Sequence, residues 1–105
     1  MKYDKLVRDK IPEIIERKGG KPKYHTARDD QDFFKRLLKK IEEEAKEFEK
    51  SKNEEEFADV REVVDAILNF LENFCSLDKK KVRFIQKKKA RERGRFNKRI
   101  ILDEA

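Results

Sequence analysis

One cysteine and one histidine are all that this 105-residue chain has of the softer metal ligands. Cys75 alone excludes an intramolecular disulfide and reads as a packing residue, and His25 alone offers no zinc site. Glycine is scarce as well, at three residues, and Gly19-Gly20 lacks the following GK[ST] of a phosphate-cradling loop. No apolar run approaches the roughly 20 residues that span a bilayer. The first residues also lack the apolar core of a signal peptide. A cytosolic protein without a membrane partner is the expectation.

What the chain does have is charge. Half of its residues are Asp, Glu, Lys or Arg, and the net charge is +6. From Asp78 to Arg99 there are twelve Lys or Arg against two acids, so the remainder is net negative by four. One acidic and one basic segment suit a metal-dependent enzyme acting on phosphates, carboxylates for the cation and cations for the phosphates. They also suit a nucleic-acid binder. Eight Phe with many Ile, Leu and Val supply enough apolar surface for a single folded domain over residues 1–105.

The apolar spacing is helical almost throughout. Ile11, Ile14 and Ile15 mark a short first helix, with Pro12 in its first turn and Gly19-Gly20 as its stop. Phe33, Phe34, Leu37, Leu38, Ile41, Ala45 and Phe48 form the stripe of a second helix, capped by Asp29 or Asp30. A third, capped by Ser51 or Asn53, carries Phe57, Val60, Val63, Val64, Ile67, Leu68, Phe70, Leu71 and Phe74. A fourth starts at Ser76 or Asp78, has only Val82 and Ile85 as anchors, and ends near Arg93 before Gly94. The expected fold is all-α: an antiparallel hairpin of the second and third helices, completed to a four-helix bundle within the chain or across a dimer. Ile100-Ile101-Leu102 could pair with the Tyr24 region as a minor two-stranded β element.

Glu43-Glu44-Ala45-Lys46-Glu47 reads EExxE and Glu56-Phe57-Ala58-Asp59 reads ExxD, with a plausible turn between them. Folding the chain back about a midpoint between Ser51 and Lys52 sets Glu47 opposite Glu56 and Glu44 opposite Asp59. The two levels lie about 4.5 Å apart along the helix axes. Four carboxylates so placed suit hard divalent cations such as Mg²⁺. At about 100° per residue, Glu44, Glu56 and Asp59 fall on or beside the apolar faces, while Glu47 lies about 120° from the centre of its stripe. The neighbouring Glu62 and Asp65, also ExxD, fall at least about 140° away, towards water. The bland alternative is ordinary decoration of charged helices.

EExxE followed by Glu56-Phe57-Ala58-Asp59-Val60 resembles the signature of the all-α NTP pyrophosphatases, the superfamily of MazG, dimeric dUTPases and phosphoribosyl-ATP pyrophosphohydrolases. Tyr3 to Pro12 and Arg93-Gly94-Arg95-Phe96 resemble a small subgroup of predicted house-cleaning members. The resemblance implies cleavage of a nucleoside triphosphate to monophosphate and pyrophosphate by a homo-oligomer, a dimer or a tetramer. It implies Mg²⁺, or Mn²⁺ in its place, held by Glu44, Glu47, Glu56 and Asp59, with Glu43 and Glu44 serving catalysis by positioning or deprotonating water. The spacer of eight residues between Glu47 and Glu56 is shorter than in many relatives. That implies a remodelled pocket near the turn.

Arg8 and Lys10 in the opening motif, and Lys88, Arg93 and Arg95 towards the end, are the candidate substrate contacts. Any one of them could equally be a solvated surface charge. The rival function is a basic helical module that binds nucleic acid or nucleotides without catalysis, with Phe84 and Phe96 as stacking residues.

Overall fold

The computed structural model describes residues 3–105. Three of the four helices, all but the first, start where a side chain takes up free amides of the first turn. The first helix, α1 (Ile11–Arg17), has Pro12 in its opening turn and closes at Lys18. Gly20 follows, where a Cβ would come within 2.6 Å of the Ile15 side chain. In α2 (Asp30–Ser51) the Asp29 carboxylate accepts from the Asp32 amide at 2.8 Å. Asp32 in turn accepts from the Arg28 amide and from Arg36, which together hold its carboxyl below the usual range. In α3 (Glu54–Phe74) the Asn53 side chain accepts from the Glu56 amide at 2.9 Å. Asp78 caps α4 (Lys79–Arg93), and Gly94, at φ 80°, ends it.

The molecule is all-helical, and none of the described residues forms a strand. The β element expected between the Tyr24 region and Ile100–Leu102 is not formed. Both segments are irregular and exposed, and an isolated pair of short strands has too little to bury.

Packing centres on the antiparallel pair α2 and α3, the only helices with extensive mutual contact among the described residues. Leu37, Val63 and Phe70 are its buried residues. The Phe70 ring meets Phe33 edge-on and stacks on Phe34 and Phe74, with centroids 5.2 to 5.5 Å apart. At the other end Phe48 and Phe57 close over the turn at 5.3 Å. The chain by itself does not complete a four-helix bundle. Its fourth helix has too narrow an apolar face to hold it along the hairpin, and is tied at its start by Lys79 to Asn69 and Glu72. The radius of gyration is 17.8 Å, against about 13 Å for a compact domain of this length. Phe57, Phe74 and Phe84 are left about half or more exposed.

Candidate functional site

The turn at Lys52-Asn53 fixes how α2 and α3 face one another, and three acids converge beside it. Carboxylate oxygens of Glu44 on α2, and of Glu56 and Asp59 in the first two turns of α3, lie within 4.8 Å of one another. All three side chains are half-buried. Helical phase explains the selection, because each sits beside the apolar stripe that turns its helix towards the other. Glu47, the fourth expected member, is outside this group. It lies half-exposed beside Lys50 at 3.7 Å, since its position on the wheel points it away from α3. Glu62 and Asp65 are exposed, as their phase required.

The cluster is surrounded by cations that hold two of its three acids. Arg8 donates to Asp59 at 2.9 Å, and Lys40 lies 3.3 Å from Glu44. Glu56 has no ion-pair partner among the described residues. Its partial burial, then repulsion from Asp59, Glu47, Glu44 and Glu55, pushes its carboxyl above the usual range. Such an acid binds its proton more tightly folded than unfolded. Stability of the metal-free protein therefore falls as pH rises from the ordinary glutamate pKa through the raised one. Glu56→Gln is expected to raise the Tm of the EDTA-treated protein at neutral pH and to lose this advantage once Glu56 is protonated. Thermal melts across the acid range check it.

Glu43 faces the N-terminal segment instead of α3. Lys5 donates to it at 3.1 Å and Lys40 lies 3.5 Å away. Burial works against ionisation here, but the two lysines outweigh it and keep this carboxyl below its usual range. Lys5–Glu43 and Arg8–Asp59, with Arg36 to Asp4 at 3.3 Å, fasten the irregular segment from Asp4 to Arg8 across both long helices. Arg8 is thus placed at the carboxylates.

The remaining substrate candidates are not. Lys10 caps α1 without an ion pair among the described residues. Lys88 lies 4.0 Å from Glu92 on its own helix, and Arg93 and Arg95 are exposed at the end of α4. None of the three forms a hydrogen bond or ion pair with the cluster. Lys5 and Lys40 were missed by the sequence reading. Lys40 had a signal, standing one turn before Glu44. Lys5 had none, because an irregular segment carries no periodicity.

No family model, curated protein or solved structure matches the chain.

The donor set can be tested for a cation on its own chemistry. Three carboxylates offer only hard oxygen ligands, and one of them, Glu56, is held ionised at a cost that a nearby dication would remove. Mg²⁺ or Mn²⁺ fits this set; softer metals lack their preferred ligands.

Proposed function

We propose that the protein is a Mg²⁺-dependent nucleotide pyrophosphohydrolase of the cytosol. It would cleave a nucleoside triphosphate, including non-standard ones, to the monophosphate and pyrophosphate. The observation that carries this reading is the convergence of Glu44, Glu56 and Asp59 at one end of the hairpin. The order of the EExxE and ExxD motifs and the flanking sequence stretches agree with it.

Glu44, Glu56 and Asp59 would hold the cation, with Glu47 near enough to add its charge. When bound, Mg²⁺ supplies activation of water and neutralisation of charge developing on phosphate oxygens. Glu44 orients the attacking water and a carboxylate of the cluster receives its proton, while Glu43, turned to the N-terminal segment, acts only through Lys40, which it shares with Glu44. The water oxygen bonds to the α-phosphorus as the bond to the α–β bridging oxygen breaks. The electron pair leaves with pyrophosphate. Arg8, which donates to Asp59 at 2.9 Å, stands where it would hold a phosphate oxygen of the substrate.

A homo-oligomer, dimer or tetramer, completes the structure in this reading. A second copy packed on the open hairpin would form a four-helix bundle across the interface and cover Phe57, Phe74 and their neighbours.

Pyrophosphate release from a broad nucleotide panel, with Mg²⁺ and with EDTA, tests the activity. Turnover of at least one triphosphate that EDTA abolishes is expected; no metal-dependent turnover on any overturns the reading. The exposed Lys and Arg of α4, with Phe84 and Phe96 beside them, support a second reading as a nucleic-acid-binding module. Salt-dependent nucleic-acid affinity that survives loss of Glu44 and Asp59, without turnover, would favour it.

A further inference from the structure

Beside the carboxylates lies a cleft of ≈ 290 Å³ between the segment Asp4–Leu6 and one face of α2. Among the described residues that line it, all but Leu6 are charged, although much of the surface they present is the carbon of their stems. Five cations and three acids line it, an excess of two positive charges. Every acid is already engaged: Arg36 holds the two aspartates, and Lys5 and Lys40 share Glu43. The excess is therefore Lys35 and Lys39. Both are exposed and neither forms an ion pair among the described residues. They stand one helical turn apart, about 6 Å, along the same wall.

The cleft is joined to the carboxylate cluster by a single side chain. Lys40, part of its wall, touches Glu44 of the cluster as well as Glu43. A ligand lying in the cleft would have one end beside the carboxylates and the other along Lys39 and Lys35. Among the described residues no aromatic ring lines this space, so none of them would stack on a base there. Excess positive charge on flexible ammonium groups recognises a compact polyanion.

We propose that this cleft seats the terminal phosphates of the substrate, and then the pyrophosphate they become, with Lys35 and Lys39 as binding residues. The assignment rests on the pyrophosphohydrolase reading for its placement in the reaction. It moves the phosphate contacts from α4 to α2 and makes a chain of linked phosphates, not the nucleobase, the part of the substrate held on this side. Triphosphates are then the preferred class over monoesters and nucleotide sugars.

Calorimetric titration of the EDTA-treated full chain with pyrophosphate tests it. The Lys35→Ala/Lys39→Ala double variant should bind at least about tenfold more weakly than the wild type, while Lys87→Ala/Lys89→Ala on α4 leaves binding unchanged. Inorganic phosphate should bind more weakly than pyrophosphate. In turnover, the double variant should raise KM for the triphosphate with kcat largely kept. Unchanged pyrophosphate affinity in the double variant, loss only in the α4 variant, or equal affinity for phosphate and pyrophosphate overturns the assignment. Mn²⁺ binding followed by electron paramagnetic resonance reads the carboxylates separately. If Mn²⁺ does not bind the wild type but pyrophosphate still needs Lys35 and Lys39, the metal reading falls and the anion site stands.

Discussion

Asp59→Asn and Glu44→Gln are each expected to lower Mg²⁺-dependent nucleotide turnover by about a hundred- to a thousandfold. Each change keeps shape but removes one of the three charges that converge beside the turn. Mn²⁺ affinity, measured by paramagnetic resonance, should fall with the activity. The two positions differ in what they release. Asp59→Asn frees Arg8, which is exposed, and Glu44→Gln leaves Lys40 still paired with Glu43, so neither variant leaves a buried unpaired cation to confuse the result. Glu47→Gln should cost no more than about tenfold, because Glu47 adds charge from outside the cluster. Glu62→Gln, on the solvent side of α3, should change nothing. Equal losses at Glu62 and Asp59 would mean that charge in general, not this arrangement, matters.

The largest effect on stability is expected at Phe70. Phe70→Ala should cost about 3–5 kcal/mol, measured by urea unfolding. That is a large share of the about 5–15 kcal/mol typical of a whole domain. Phe70 is only 5% exposed, and its ring is in contact with three others. Removing it loses the transfer energy of the ring and leaves a gap between α2 and α3. The aromatic pairs add about 0.5–1.5 kcal/mol each beyond buried area. Phe96→Ala is the control, since Phe96 is 95% exposed and its loss should fall within about 0.5 kcal/mol. Phe70 stands eleven residues beyond Asp59 on α3, about 16 Å along the axis. Any loss of activity in Phe70→Ala should therefore track the unfolded fraction and recover at temperatures where the variant is folded.

Much of the hairpin was legible in the sequence, because it follows from local rules. Asp29, Asn53 and Asp78 cap helices for the same reason that Asp and Asn do so generally, and the apolar stripes fixed which faces meet. The meeting of Glu44, Glu56 and Asp59 came from two such rules combined, helical phase and the turn position. Only the turn position made Glu47 a fourth partner; its phase set it aside, and it lies outside the group. What was not legible depends on paths that no periodicity describes. The segment holding Lys5 and Arg8 is placed by three ion pairs, two to α2 and one to α3, and the cleft exists only because of that path. The placing of α4 was equally hidden, since Val82 and Ile85 are too few to dictate a docking face. Ile100–Leu102 has a strand's composition but no neighbour to pair with.

The turn at Asn53 joins two helices that are consecutive in the chain and supply the only extensive packing between elements among the described residues. Native contacts are therefore mostly local, the condition for folding in about microseconds to milliseconds. The order of events follows from the same fact. All three clustered acids lie between residues 44 and 59, and the core that sets them in register ends at Phe74. The carboxylates, and the Arg8 and Lys40 that pair with two of them, all precede the basic helix in the chain. The acidic cluster and the cations that offset it can therefore assemble from the hairpin and the segment before it, without the basic helix.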